Sequence, residues 1–376
     1  MKLPIKDAAF LLPKKSIDLE KWSVIACDQH TSDISYWEKL AVFVGESPST
    51  LSFIFPEVYL HKGDDEKRSS DIALATKAAL EQDIFDEYSG MVSVTRTVSN
   101  GKQRKGILLC VDLEDYSFIK GEKPLIRASE GTVLERIPPR VAVREKCALE
   151  SPHIMVLYDD PDFTVQKAVD GNADKGLYDF ELNFGGGRLR GEKIADTQKV
   201  LTAFENLLAF SKDKYGEELL FAVGDGNHSL AAAKQVYENA KAKGEGEKCR
   251  YALCEAVNLY DEALEFEPIH RIVFAKDKEG KEFSIEIKKK MPRDSIAAVS
   301  FVDALAKENG FEVDYIHGEK HTKDLAKKLD AVPVLLQAMD KSEFFPYIIK
   351  NGSLPKKTFS MGEAEDKRYY LECARI

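Results

Sequence analysis

The residues Gly224-Asp225-Gly226-Asn227-His228-Ser229 place a carboxylate, an amide, an imidazole and a hydroxyl side by side in the chain. They follow the apolar run Phe221-Ala222-Val223 and open the stretch Leu230-Ala231-Ala232-Ala233, so the pattern reads as strand, tight turn and helix. Gly224 and Gly226 allow a sharp backbone path and close approach by a ligand. The first turn of such a helix presents N–H groups that no intrahelical carbonyl can satisfy, at the positive end of the helix dipole. Anions, and phosphate in particular, bind at such ends. Asn227 or Ser229 is expected as the N-cap, which accounts for one polar side chain and leaves the others unexplained. Asp225 and His228 are therefore candidate catalytic residues. Gly224, Gly226, Asn227 and Ser229 are candidate cofactor contacts, and Asp225 is also the candidate metal ligand.

Other segments could supply a further base or cation. Pro268-Ile269-His270-Arg271 lies inside the apolar run 266–274, where strand alternation sends His270 and Arg271 to opposite faces. His270 is the third catalytic candidate, against the ordinary alternative of a satisfied strand histidine. Gly185-Gly186-Gly187 before Arg188 and Arg190 could bring backbone and guanidinium groups to a phosphate, or simply join two strands. Arg127, Glu130, Thr132, Arg136, Arg140 and Arg144 read as a phosphate clamp or as a solvated charged face. The polar segment 26–33, Ala-Cys-Asp-Gln-His-Thr-Ser-Asp, is either a loop at a strand end or a helix cap before Tyr36-Trp37. Neither a GxxxxGKS/T phosphate loop nor a GxGxxG dinucleotide fingerprint occurs, so any nucleotide must be held in another geometry.

The elements that would position these residues alternate in type. Residues 91–98 and 106–113, joined across Asn100-Gly101, read as a hairpin. Ile72, Ala75, Ala79, Ile84 and Phe85 recur near helical spacing, which predicts a helix over 71–88 opened by Ser69-Ser70-Asp71. A buried strand is expected over 154–158, and strands over 178–184 and from Leu189 flank the glycine triplet. A helix over 196–210, a strand over 219–223, a helix over 229–243 and strands over 251–258 and 264–274 follow. The charge-dense stretch 276–293 reads as an exposed linker or surface insertion. Past it, a helix over 294–307, a strand over 311–316, a helix over 322–329 and a strand over 332–337 make a small βαβ-like unit. The expected fold is α+β, a mixed α/β arrangement of mixed sheets flanked by helices. Three regions are expected: 1–150 with the hairpin, 151–275 with the Gly-Asp-Gly-Asn-His motif, and 276–376 with the βαβ-like unit and tail.

Composition narrows the function classes. The 54 Lys and Arg against 64 Asp and Glu give a net charge of −10 with both signs scattered, which argues against nonspecific nucleic-acid binding. The apolar run 8–12 is closed by Pro13, too early for a signal-peptide core, and no run approaches the ~18 apolar residues of a membrane span. A cytoplasmic protein with a small-molecule substrate and without nucleic-acid or membrane partners is expected. The six cysteines lack zinc-site spacing and are expected to be reduced thiols.

Three stretches taken together, Ala222-Val-Gly-Asp-Gly-Asn-His-Ser-Leu-Ala-Ala-Ala233, Glu267-Pro-Ile-His-Arg271 and Leu354-Pro-Lys-Lys-Thr-Phe-Ser-Met-Gly-Glu-Ala364 with Lys367-Arg-Tyr-Tyr370, resemble an uncharacterised bacterial and archaeal family. That family is catalogued as domain of unknown function 1015, and the resemblance runs in order over nearly the whole chain. More distantly, the central motif is similar to the Asp-Gly-His-His-Arg motif of ParB-related free serine kinases, where it opens a helix whose N-terminus meets nucleotide phosphates. Asp225, Gly226 and His228 match its first, second and fourth positions, while Asn227 and Ser229 replace the third histidine and the arginine. The resemblance implies a ParB/sulfiredoxin-like core and a nucleotide, ATP or ADP, with Mg²⁺. It also implies phosphotransfer to a small polar metabolite.

In that scheme the helix start at 227–230 holds phosphate, Asp225 holds the metal or a substrate hydroxyl, and His228 or His270 moves a proton. Arg271 is the expected cation in place of the missing motif arginine. Asp225, His228 and His270 should then share one pocket, with segment 26–33 or 358–363 beside it. A non-catalytic nucleotide or metabolite sensor is one alternative. The other is a metal-dependent hydrolase built on His30, Asp225, His228 and His270.

Overall fold

The hydrophobic pattern resolves into two compact units in the computed structural model, which describes residues 2–132, 134–275 and 277–376. The first takes in the chain up to Ala128, Thr132–Leu264 and Glu363–Ile376, and the second Ser129–Gly131 and Glu265–Gly362. These boundaries differ from the divisions at 150 and 275 expected from the sequence. The chain folds the second unit as an insertion and then returns its tail to the first, a closure that local composition does not encode.

The first unit carries strands β1 (Val92–Thr97), β2 (Gln103–Asp112), β3 (Met155–Tyr158), β4 (Ala173–Glu181), β5 (Arg188–Ile194), β6 (Phe221–Asp225) and β7 (Tyr251–Asn258). With Ile5–Lys6, Tyr116–Ser117 and Ile126–Arg127 they form a ten-stranded mixed sheet among the described residues. Its order is β4-β5-β1-β2-β7-β3-β6, followed by Ile126–Arg127 and Tyr116–Ser117, while Ile5–Lys6 pairs with β2. Pairing is antiparallel from β4 through β7 and between β3 and β6, and parallel between β7 and β3. β1 and β2 are the expected hairpin, with Thr97 opposite Gln103.

Alternation of side chains gives this sheet two apolar faces. On one, Val111, Val156, Phe221 and Val223 pack with Val200, Phe204 and Leu208 of helix α1 (Thr197–Tyr215) and with Leu230, Ala233 and Val236 of helix α2 (Asn227–Ala242). Phe221 and Val223 are fully buried, which contributes roughly 1.5–3 kcal/mol each. The alanines of α2 let neighbours approach closely: Ala231 and Ala232 meet Ile137, at the start of helix Ile137–Arg144. On the other face, Val92, Val94, Leu108 and Leu253 pack with Phe10 and Cys373 of a second sheet formed by Ala8–Pro13, Phe85–Gly90, Leu149–Glu150 and Cys373–Arg375.

One helix of this unit differs from expectation at both ends. It spans Asp65–Glu81 rather than 71–88, and Phe85 to Tyr88 belong to strand Phe85–Gly90, paired with Ala8–Pro13. The Tyr88 ring stacks on Phe10 at 5.9 Å between centroids. A strand partner more than seventy residues away in sequence overrides the local helical spacing of Ile84 and Phe85.

The second unit is built on strand β8 (Phe266–Val273), flanked by β9 (Val313–His317) and β10 (Val332–Val334), both antiparallel to it. Helix Glu319–Leu329 joins β9 to β10, so the βαβ connection is present with β8 lying between its strands. The stretch expected as a linker or insertion is instead helix α3 (Asp277–Lys290). Phe283 and Ile287, one turn apart, pack in a core with Val273, Val334 and with Val299 and Val302 of helix α4 (Ser295–Glu308). Two apolar residues four positions apart suffice to bury one helix face, and the charges around them belong to the solvated face.

No helix among the described residues is long and apolar enough to cross a membrane. All six cysteines are unbridged.

Within the second apolar face of the ten-stranded sheet lies a polar layer. Arg104 Nη2 pairs with Glu255 Oε2 at 2.9 Å, and the Tyr178 hydroxyl donates to Glu372 Oε1 at 2.7 Å. Burial raises the Glu372 carboxyl from 4.5 to about 7, against the opposing effect of the Tyr178 hydrogen bond. The folded chain therefore keeps a proton that the unfolded chain releases. The stability contributed is full below about pH 4.5 and is lost as pH rises to and through about 7. Glu372→Gln should flatten that part of the pH dependence. Urea denaturation near pH 5 and near pH 7.5 should show the variant losing less stability over the interval than the parent, and equal slopes would contradict the assignment.

Candidate functional site

Antiparallel pairing of Asp225 with Met155 determines what surrounds the motif. In such a pair the residue after one strand lies beside the residue before the other, which sets Gly226 against Ile154. The ladder slips between Val223 and Asp225, a bulge at Gly224 that re-aims the carboxylate beyond it. Gly226 adopts φ 80°, and a Cβ there would stand 3.1 Å from the Ile154 Cα. Both the left-handed backbone and the close approach require glycine.

Gly226, rather than Asn227 or Ser229, is the N-cap of α2. The intrahelical ladder begins with the Leu230 N–H donating to the Gly226 carbonyl at 2.9 Å. Leu230 is thus inside the helix, and the positive end is formed by Asn227, His228 and Ser229. Asp33, Asp196 and Asp294 cap other helices through their carboxylates, whereas here the cap is a glycine, and its N–H donates to the Asp225 Oδ1 at 2.9 Å.

Two further segments close around it. The Ala26 N–H donates to the Lys367 carbonyl at 2.8 Å, and the Tyr369 N–H to the Val24 carbonyl at 2.9 Å. The Tyr370 N–H donates to the Pro152 carbonyl at 2.9 Å, and its hydroxyl to the Ile154 carbonyl at 2.7 Å. These bonds bring Cys27, Asp28, His153, Lys367 and Tyr369 to the motif. Lys367 Nζ lies 3.9 Å from Asp225 Oδ2. Burial by itself would raise the Asp28 carboxyl, but His153, the Gln29 amide at 2.9 Å, Lys367 and Arg140 together hold it below the usual range. The Cys27 thiol is pushed up to about 12 by burial and by Asp28, which leaves it a poor nucleophile near neutral pH. His153 is buried with its ring edge-on to Tyr369, 4.9 Å between centroids. Arg140 pairs with Glu57, whose N–H donates to the Cys27 carbonyl at 2.8 Å.

These groups open on a cavity of about 140 Å³ whose wall includes Ser229, Cys27, Glu57, Arg140, His153 and Tyr369. The arrangement offers an anion the positive end of a helix with a lysine and an arginine near it. Asp225, partly exposed, offers a carboxylate to a cation or hydroxyl. No group of three or more His, Cys, Asp or Glu side chains among the described residues is arranged to hold a metal alone. Of the hydrolase candidates, His30 stacks on Tyr36 at 4.0 Å. Mg²⁺ at Asp225 would complete its shell with phosphate oxygens and water, as this ion commonly does.

The remaining sequence candidates have other occupations. His270 and Arg271 belong to the second unit, where the Leu336 N–H donates to His270 Nδ1 at 3.2 Å and burial lowers the imidazole pKa. Arg271 is fully buried, its Nε and Nη2 on Asp303 at 2.9 and 3.1 Å and its Nη1 on the Ile269 and Lys357 carbonyls. Its donors are committed to protein acceptors, so it is not the phosphate-facing cation expected from the sequence. The glycine triplet turns β4 into β5, with the Leu182 N–H on the Gly187 carbonyl at 2.7 Å, and Arg188 pairs with Asp179 and Glu181. Of the arginine series, Arg140 and Arg144 reach the cavity, while Arg127 pairs with Glu217 at 2.6 Å.

Sequence reading did not single out Asp28, Glu57, His153, Lys367 or Tyr369 as site residues. Lys367 and Tyr369 stood within the tail motif and Asp28 within the polar loop, so position signalled all three. His153, one residue ahead of an apolar run, carried no signal of its own.

Fold and site together define a mixed α/β protein with a glycine-capped helix start at its candidate site. The chain belongs to the family described as "Protein of unknown function (DUF1015)", whose model matches residues 11–375. No curated protein matches it. Solved structures similar to it include a free serine kinase mutant in complex with AMP, 9% identical, covering 68% of this chain and 87% of that one at a TM-score of 0.37. Another mutant of a free serine kinase, in complex with ADP, is 10% identical over 68% and 87% at 0.35. A conserved hypothetical protein from Pyrococcus furiosus is 9% identical over 68% and 90% at 0.33. No residue of this chain takes a role from these likenesses.

Arg271→Met should act on stability alone. Loss of the guanidinium strands a partly exposed Asp303 and two carbonyls, a cost of about 2–4 kcal/mol after allowing for solvent at Asp303. Denaturant midpoints should fall accordingly while phosphate affinity by calorimetry stays within about twofold. A selective loss of phosphate binding at unchanged stability would return Arg271 to the list of ligands.

Proposed function

We propose that the N-terminal end of α2 binds the phosphates of a nucleotide, ATP or ADP, and that the protein transfers a phosphoryl group to a hydroxyl of a small metabolite. One observation carries this reading: a helix start capped by Gly226, with Lys367 beside Asp225 and a cavity opening at Ser229. Phosphoryl transfer needs chiefly positioning and charge neutralisation, and the helix end and Lys367 supply both. Asp28, Asp225 and Glu57 bring negative charge to the same place, so the site requires Mg²⁺ at Asp225 to accept a polyphosphate. In the step, a bond forms from the acceptor oxygen to phosphorus as the bond from phosphorus to the nucleotide oxygen breaks. His228 takes the hydroxyl proton.

Titration with ATP and Mg²⁺ should raise the melting temperature, since a ligand at about 100 times its Kd stabilises by about 2.7 kcal/mol. Asp225→Ala and Lys367→Met should each melt cooperatively and bind at least about tenfold more weakly, a loss of about 1.4 kcal/mol or more. Unchanged affinity in both variants, or absence of Mg²⁺-dependent binding in the parent, would refute the site. Binding without turnover of any hydroxylated metabolite supplied would make the protein a sensor.

A further inference from the structure

The cavity beyond Ser229 has a chemistry that narrows the acceptor. Phe53, Ile54, Leu60 and Val143 contribute apolar wall, and its volume is about 140 Å³. A dry cavity of about 150 Å³ holds a benzene ring, so the space suits a body of roughly six carbon atoms. Its charges are matched within the wall itself: Arg140 pairs with Glu57, and Arg144 Nη2 lies 2.6 Å from Glu150 Oε2. Glu150 is held further by the Leu253 N–H at 2.9 Å. A charged ligand body would have to break one of these pairs or lose its water without compensation. Polar side chains at one end, Ser229 and His153, remain to orient a neutral ligand. His153 precedes Ile154, against which Gly226 packs, and it shares the cavity wall with Ser229.

We infer that this cavity is a subsite for an uncharged, hydroxyl-bearing small molecule with a mainly apolar body, its hydroxyl at the Ser229 and His153 end. The inference rests on the phosphotransfer reading only for the role of the hydroxyl as acceptor. It replaces the polar metabolite expected from sequence with an amphipathic one, because matched charges and apolar wall favour desolvating carbon over desolvating charge.

Benzyl alcohol is the probe, compared with benzoate and benzylammonium, which keep the ring and add charge. Ligand-observed NMR on the full chain should show benzyl alcohol binding, with both charged analogues at least about tenfold weaker. Val143→Trp and Leu60→Trp fill the cavity from different walls, so that one remains informative if the other fails to fold. Each folded variant should weaken benzyl alcohol by at least about tenfold while the affinity for inorganic phosphate stays within about twofold. No binding of benzyl alcohol, binding untouched by a folded cavity-filling variant, or tighter binding of benzoate would overturn the inference. Benzyl alcohol binding that behaves as expected in a protein that binds neither phosphate nor nucleotide would support the subsite and defeat the phosphotransfer reading alone.

Discussion

The carbonyl of Ile154 is the junction on which the candidate site depends. It accepts from the Glu255 N–H at 2.9 Å and from the Tyr370 hydroxyl at 2.7 Å, which uses both lone pairs, and Gly226 packs against the same residue. One residue thereby holds β7, the returning tail and the start of α2. Because the peptide group cannot rotate without breaking both bonds, the positions of His153, Lys367 and Ser229 are coupled. Any side chain at 226 would push the helix start away from the other segments.

Electrostatics at the site is a matter of local balance. Asp28, Asp225 and Glu57 face Lys367, Arg140 and His153, and against burial His153, the Gln29 amide, Lys367 and Arg140 hold the Asp28 carboxyl below the usual range. The net charge of −10 is felt little here, since physiological salt screens exposed charges beyond about 8 Å. The helix end and its immediate cations therefore decide whether an anion is accepted. Cys27, in the same wall, is kept as a protonated thiol by burial and by the neighbouring Asp28 carboxylate, which outweigh the Tyr369 hydrogen bond and Arg140.

The second unit illustrates how polar residues in a recognisable motif can serve the fold. Within Glu267-Pro-Ile-His-Arg271, the histidine ring accepts a backbone N–H and the guanidinium joins Asp303 to two carbonyls. Bonded in this way, the two side chains are held by the fold without touching a ligand. The tail motif behaves otherwise. Arg368 is structural, donating to the Ser23 carbonyl and to Asn183, while its neighbour Lys367 points to Asp225.

Local pattern was enough to read the hairpin at Asn100-Gly101, the strand before Asp225 and the helix after it, because turn residues and side-chain periodicity act over a few positions. It was also enough to mark 224–229 as chemistry, since four polar functions at a strand-to-helix turn exceed what a cap needs. It misjudged Asp65–Glu81 and Asp277–Lys290, where a distant strand and one buried face outweighed the local signal. Neighbourhood was beyond it altogether. His153 comes to the motif through the register of β3 on β6, and Lys367 through a tail that returns after the insertion of the second unit. Those placements are fixed by long-range hydrogen bonds and shared apolar cores, whose free energy belongs to pairs of segments and is written in neither segment alone.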